Sequence, residues 1–229
     1  MKITWFGESG FRIQSGSASI FIDPYFSDAL GAQDETKHRI VPVDPAWFDM
    51  PCGCLLFTHW HIDHTDPETV RQLLAHHPDM IILGPPSSRE LVSFAPVYVE
   101  MKDGDQASFH GVSIRALPAV HSDRWALGYE IKLEGKTLYF SGDTALLCNV
   151  QDRVPHNADA AFLCFNAGIG KNMNEADAVR MAKQITPGLV VPFHYGVIPG
   201  GVQPDLFRSM LEKENIPHIF PAIGETFEL

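Results

Sequence analysis

His59-Trp60-His61-Ile62-Asp63-His64 is the stretch that decides how this chain is read. It follows an apolar run of strand length, Cys54-Leu55-Leu56-Phe57-Thr58. Imidazole and carboxylate are the usual nitrogen and oxygen ligands of zinc, manganese or iron. Four such groups within six residues cannot all face one ion comfortably. They can divide, with His59 and His61 turned one way and Asp63 and His64 another, as a two-metal site requires. In extended chain Trp60 would point away from its histidine neighbours, so it is expected to pack into the core more readily than to meet a substrate.

The same pattern recurs downstream. Val112 to Val120 runs into His121, Thr137 to Ser141 into Gly142-Asp143, Ala160 to Phe165 into Asn166, and Gly188 to Phe193 into His194. Near the start, Ser19-Ile20-Phe21-Ile22 ends at Asp23-Pro24. Ligand sites of open sheets gather beyond the carboxyl ends of the strands. His121, Asp143 and His194 are therefore expected to converge on one edge with the hexapeptide. Asp23 is placed either as an acceptor orienting a ligating imidazole or as a simple turn residue.

Helical patterns fall between the runs, at about Pro67 to His77, Asn174 to Gln184 and Pro204 to Glu214. Thr65 and Glu68 have the spacing of a capping box for the first of these, with Pro67 in its first turn. Lys102-Asp103-Gly104-Asp105 and Leu133-Glu134-Gly135-Lys136 read as hairpin turns. Each half of the chain thus opens with hairpin-like strands and continues in strand–helix alternation. The pattern implies two sheets sandwiched between helices, an α+β fold in one domain over residues 1–229.

The 229 residues carry a formal charge of −11 and 45% hydrophobic residues, the profile of a soluble globular protein. No apolar run reaches the roughly 18 residues of a membrane span, and the first residues have no signal-peptide pattern. With no Lys/Arg cluster, the acidic chain offers no counterion-release surface for a nucleic acid. Cys52, Cys54, Cys148 and Cys164 do not form a disulfide framework, and one spacer residue between Cys52 and Cys54 is short for a metal pair. Buried thiols in a reducing cytoplasm are the expectation. Of the 11 histidines, five belong to the constellation, while His76 and His77 end a helix, where partial positive charge suits the dipole.

Taken together, His59-x-His61-x-Asp63-His64, His121, Ser141-Gly142-Asp143-Thr144 and His194 resemble the ligand motifs of the metallo-β-lactamase superfamily, in order along nearly the whole chain. The resemblance implies a four-layer αββα sandwich with one or two metals at its edge. It further implies that His59, His61 and His121 hold a first ion, that Asp63, His64 and His194 hold a second, and that Asp143 bridges them. A narrower resemblance is to the L-ascorbate-6-phosphate lactonase branch. Trp5 to Phe11, Ile22 to Tyr25, Asn166-Ala167-Gly168, Asn172-Met173-Asn174 and Pro192-Phe193-His194-Tyr195 carry it.

The chemistry expected from such a site is hydrolysis by a metal-bound hydroxide, opening a lactone or ester of a small metabolite, phosphorylated or otherwise anionic. Zinc or manganese suits the donors best, and iron also fits. Asp63 and Asp143 are the expected catalytic carboxylates, with Asp63 assisting the leaving oxygen. Asn166, Lys171, Asn172, Arg124 and Tyr195 are the expected substrate contacts, Arg124 or Lys171 receiving an anionic group. Two divalent cations would move the total charge from −11 to about −7 and turn the local field positive. A phosphodiesterase acting on a small or cyclic phosphodiester and a non-catalytic metal-binding sensor are the alternatives. A small-molecule partner is expected, with no nucleic acid and no membrane, and a homo-oligomer stays open.

Overall fold

In the computed structural model, residues 1–146, 152–166, 171–200, 202 and 204–229 are described. Cys148, Ala167 and Gly168, named above, lie outside them. The apolar runs form strands. One sheet is built from β1 (Lys2–Gly7), β2 (Gly10–Ser15), β3 (Ala18–Ile22), β4 (Cys54–Leu56), β5 (Ile81–Gly84) and β6 (Tyr98–Glu100). The last strand, β13 (Thr226–Glu228), returns to flank β1, giving the order β13-β1-β2-β3-β4-β5-β6. The second sheet holds β7 (Gln106–Phe109), β8 (Val112–Pro118), β9 (Leu127–Leu133), β10 (Lys136–Phe140), β11 (Ala160–Cys164) and β12 (Val190–Phe193). Its order is β12-β11-β10-β9-β8-β7.

Each sheet begins antiparallel and becomes parallel. β1, β2 and β3 pair antiparallel and β3 to β6 parallel, while β7 to β10 pair antiparallel and β10 to β12 parallel. Leu133 to Lys136 closes the hairpin between β9 and β10, as its turn chemistry implies. Lys102 to Asp105 does not close one. It carries the chain from β6 in the first sheet to β7 in the second.

The sheets face each other across a core that includes Trp5, Phe11, Leu56, Tyr129, Phe140, Phe162 and Phe193. Phe140 and Phe162 stack at 3.9 Å between centroids, and Phe11 meets Phe162 edge-on at 5.0 Å. Helices cover both outer faces. Val70 and Leu73 of α3 (Pro67–His76) pack with Phe21, Leu55, Phe57 and Ile82 of the first sheet. α5 (Glu175–Ile185) and α6 (Pro204–Lys213) pack Met181, Ile185, Phe207 and Leu211 onto Tyr139, Leu163 and Phe165 of the second. This is the four-layer αββα sandwich. Shorter helical turns are α1 (Ala29–Gln33), the 3₁₀ turn Glu35–Lys37, α2 (Ala46–Asp49) and α4 (Pro86–Leu91). Among the described residues, no helix is long and apolar enough to cross a membrane.

The helix caps differ from the sequence expectation at one point. Asp66, not Thr65, caps α3, accepting from the Glu68 amide at 3.0 Å, a contact worth about 1 kcal/mol. The Thr65 hydroxyl instead donates to the His59 carbonyl at 2.7 Å and lies 2.8 Å from Ser88 Oγ, whose proton it can accept. It ties off the loop that carries the histidines.

Candidate metal centre

β1, β3 and β4 run in one direction in their sheet, and β8, β10, β11 and β12 in one direction in theirs. Their carboxyl ends deliver Glu8, Asp23, His59 to His64, His121, Asp143, Asn166 and His194 to a common edge. Residues 59–65 are not extended. The His64 and Thr65 amides both donate to the His61 carbonyl, at 2.9 and 2.7 Å, and curl the segment into a turn. Gly142 permits the bend before Asp143: its φ is +58°, and a Cβ there would overlap the Leu127 carbonyl.

Two groups of ligand atoms result. His59 Nε2 lies 3.0 Å from His61 Nδ1, which lies 3.2 Å from His121 Nε2. In the second group His64 Nε2 and His194 Nε2 face each other at 3.3 Å. Asp63 Oδ2 is 3.5 Å from His194 Nε2 and 3.8 Å from His64 Nε2. Asp143 sits between the groups. Its Oδ2 is 3.1 Å from His194 Nε2 and 3.9 Å from His121 Nε2, and its Oδ1 is 3.5 Å from His64 Nε2.

The protonation states follow from burial and from neighbours. Burial, reinforced by the charge on His64, holds His59 well below the ordinary imidazole range and lowers His61. Burial also pushes His121 down to about 4. Burial opposes charge on His64 too, yet Asp143, Asp63 and Asp23 together raise it well above 6.5. His194 reaches about 9, where Asp143 and Glu8 overcome its burial. Asp143 is buried, but His194 and His64 hold it ionised, well below the usual carboxylate range.

These residues fit a metal. The three imidazoles of the first group are neutral, so nitrogens that face one another over about 3 Å present lone pairs without enough protons to share. Two nitrogens bound tetrahedrally at the zinc–imidazole distance stand about 3.3 Å apart, the spacing found here. Asp143 Oδ1 is buried and has no hydrogen-bond partner among the described residues. The atoms of His59, His61 and His121, of His59, His64 and Asp143, and of Asp63, His64 and His194 each cluster within 4.8 Å.

The surroundings fix these side chains. His64 Nδ1 donates to Asp23 Oδ2 at 2.8 Å, and the Thr58 amide donates to Asp23 Oδ1 at 2.8 Å. Thr58 Oγ1 is 3.0 Å from His59 Nδ1, and Ser122 Oγ is 3.1 Å from His61 Nε2. Asn172 Nδ2 donates to Asp143 Oδ2 at 2.7 Å. Asn166 Nδ2 lies 3.2 Å from His194 Nδ1.

Comparison with known proteins agrees with this geometry. The model of the Beta-lactamase superfamily domain matches residues 2–194. This chain belongs to the metallo-β-lactamase superfamily. Among superfamily relatives, a UPF0173 metal-dependent hydrolase of Anoxybacillus flavithermus is 31% identical, with all of both chains covered. Another from Pelotomaculum thermopropionicum is 29% identical, again over both whole chains. In fold, the chain is similar to Igni18, a metallo hydrolase of Ignicoccus hospitalis (TM-score 0.81, 23% identity, 100% and 98% of the two chains). It is equally similar to an isothiocyanate hydrolase from Delia radicum gut bacteria (TM-score 0.81, 20% identity, 100% and 99%). With these hydrolase relatives, the protein is a metal-dependent hydrolase of the superfamily, and its His and Asp side chains form candidate metal-binding groups.

The superfamily edge opens on a cavity of about 640 Å³, and here several expectations change. Asn166, Asn172 and Tyr195 line it, but Arg124 and Lys171 do not. Arg124 is exposed and lies over the Trp125 ring at 4.8 Å, while Lys171 is exposed to solvent. Trp60 is not in the core. It is 45% exposed and walls the cavity, because the turn at 59–65 breaks the alternation that would have buried it.

The sequence pattern assigns no role to Glu8, yet the fold brings it to the site. It is buried, lines the cavity and reaches within 3.6 Å of His194 Nδ1. Burial raises its carboxyl above 4.5. Its place directly after β1 is the same signal that marks Asp23 and His194. All three sit at positive φ (Glu8 48°, Asp23 42°, His194 75°), strain of about 1–3 kcal/mol each of the kind found at functional sites. Cys52 and Cys54 take no part. Cys52 Sγ contacts Met80 Sδ at 3.2 Å in the core, and burial pushes its thiol up to about 12.

Proposed function

We propose that this protein hydrolyses a lactone or ester of a small metabolite at a site of two divalent cations, zinc or manganese. His59, His61 and His121 would hold one, and Asp63, His64 and His194 the other, with Asp143 between them. The observation that carries the reading is the position of Asp143, whose Oδ2 lies 3.1 Å from His194 Nε2 and 3.9 Å from His121 Nε2, one histidine of each group. Cations bound there would supply Lewis-acid polarisation of the carbonyl and lower the pKa of attacking water.

The chain's own residues account for the rest. Neutral His59, His61 and His121 offer lone pairs without first losing a proton. Asp63 is the most accessible carboxylate of the cluster, at 15% side-chain exposure, and it lines the cavity. From there it would carry a proton from the attacking water to the departing ring or ester oxygen. Asn166 and Asn172 stand at the cavity floor as hydrogen-bonding groups for the substrate. Several neighbouring side chains keep water out of the rear of the site, His59 and His64 being fully buried. A phosphodiester fits less well, because Lys37 is the only Lys or Arg among the described cavity residues.

The test is turnover of a panel by zinc- and manganese-loaded protein: neutral lactones, carboxylic esters, a small phosphodiester and an isothiocyanate, with bound metal counted. Hydrolysis of lactone or ester at two metals per chain is the expected result. Cleavage of the phosphodiester or the isothiocyanate alone would replace the reading, and metal binding without any hydrolysis would favour a sensor.

A further inference from the structure

The wall of the cavity differs in chemistry from its floor. The floor is the cluster of His61, Asp63, His121, Asp143 and His194, with Glu8, Asn166 and Asn172 against it. Above it stand Leu30, Ile40, Trp60, Ile62, Ile198 and Val202. Ile40 is 63% exposed and Trp60 45%, and, unlike the other exposed large apolar side chains Phe94, Val97, Val99 and Leu206, both line the cavity, where an apolar group of a ligand would cover them. Lys37, the one Lys or Arg among the described lining residues, is ion-paired to Asp34 at 3.4 Å. Apart from the histidines of the metal cluster, no other side chain among those residues offers a positive charge to an anionic group.

The wall is also held in shape without a ligand. The Ile40 amide donates to the Val197 carbonyl at 2.8 Å, tying the segment after α1 to the loop that bears Ile198. Arg39 Nη1 donates to the Tyr25 carbonyl at 2.6 Å, and the Leu30 amide to Tyr25 Oη at 3.0 Å. On the opposite side Asp123 accepts from the Trp60 amide at 3.3 Å and from Ser87 Oγ at 2.6 Å. The Trp60 indole lies 4.6 Å from the His61 ring, so the apolar surface begins where the polar cluster ends.

We infer that the substrate is uncharged and carries an apolar group, an aromatic ring or a medium-length acyl chain, which Trp60 and Ile40 select. The inference rests on the hydrolase reading above and narrows it, replacing the anionic metabolite that the sequence resemblance suggests. The reacting carbonyl sits over the histidines while the apolar group lies along Trp60, Ile62 and Ile40. A pocket of this volume accommodates such a molecule. Each methylene it buries raises kcat/KM about fourfold until the wall is covered.

Two readouts test it. The first is kcat/KM over p-nitrophenyl esters from acetate to octanoate and over one ester ending in a carboxylate. The expected result is a rise with chain length, a drop for the anionic ester, and a shallower rise in Trp60→Ala and Ile40→Asn. A flat profile, or a preference for the anionic ester, would overturn the inference while leaving the hydrolase reading in place. The second readout needs no turnover: binding of the neutral fluorophore N-phenyl-1-naphthylamine to metal-loaded protein. Saturable binding that weakens at least threefold in Trp60→Ala supports the inference even if no ester is cleaved, and binding unaffected by either substitution overturns it. Both side chains are exposed, so melting temperatures equal to wild type are expected to accompany these effects.

Discussion

His64 Nδ1 donates to Asp23 Oδ2 across 2.8 Å, with both side chains buried. Asp23 also accepts from the Thr58 amide and hydroxyl, so its carboxylate cannot swing away from the imidazole. The consequence is a fixed ring. With Nδ1 committed to Asp23, Nε2 is the nitrogen that faces His194, Asp143 and Asp63.

Replacing this acceptor loosens the ligand without removing it. Asp23→Asn is expected to lower metal affinity and kcat/KM by about 10- to 100-fold, the usual cost of losing a partner that orients a ligating histidine. Competition against a chromophoric chelator measures the affinity directly. An affinity equal to wild type would show that Asp23 serves only its turn.

Direct loss of a ligand costs more. His61→Ala and Asp143→Ala are each expected to leave less than roughly 1% of wild-type kcat/KM, beyond the range seen when only a supporting partner is lost. Circular dichroism should stay native, because His61 is half-buried in the cavity lining and Asp143 lies in the site, not the core between the sheets. Retention of more than a few per cent activity by both variants would disprove this ligand set.

Much of the fold, and the convergence of the candidate ligands on one edge, is legible in the amino-acid sequence. Strands that end in His, Asp or Asn declare a shared edge, because parallel strands all present their carboxyl ends to one side. That logic reaches His121, Asp143 and His194, far along the chain from the hexapeptide at 59–64. The same logic extends to Glu8, directly after β1, to which the sequence pattern assigns no role. The sequence misleads wherever local chemistry has to stand for three-dimensional context. The Lys102 to Asp105 turn is a good turn, but turn residues do not say which sheet receives the next strand. Strand alternation sends Trp60 to the core, but its segment is a turn. Charge singles out Arg124 and Lys171, yet charge says nothing about whether a cation faces the cavity or the solvent.

Metal removal should be visible as lost stability. Converging neutral imidazoles and the buried Asp143 are joined most favourably when a cation lies among them. Metal at 100 times its dissociation constant adds about 2.7 kcal/mol to the folded state. For a chain of this length that is a rise in Tm of roughly 5–10 °C over the chelated protein. Differential scanning fluorimetry with EDTA and then with added zinc or manganese measures it. A Tm indifferent to both treatments would mean that the cluster holds no metal in solution.

The segment bearing Ile40 is latched by an ion pair whose titration can be followed. His38 Nδ1 lies 2.6 Å from Asp28 Oδ2, and the Arg39 amide donates to Asp28 Oδ1 at 2.9 Å. The hydrogen bond to Asp28 raises His38 above 6.5, and the same bond lowers Asp28 below 3.8. For His38, whose folded pKa is raised, the stabilisation is complete below pH 6.5 and disappears as pH climbs through the raised value. For Asp28, whose folded pKa is lowered, it is complete above pH 3.8 and disappears as pH falls through the lowered value. Both contributions therefore coexist from about pH 4 to 6.5. Gly31 makes the approach possible, since a Cβ there would overlap His38 Nδ1 and Asp28 Oδ1. Gly31→Ala is expected to return the His38 pKa, followed by NMR of the ring Cε1–H, toward 6.5 and to raise KM for an apolar ester several-fold with kcat little changed. An unshifted His38 titration in that variant would show that the pair does not hold this segment in solution.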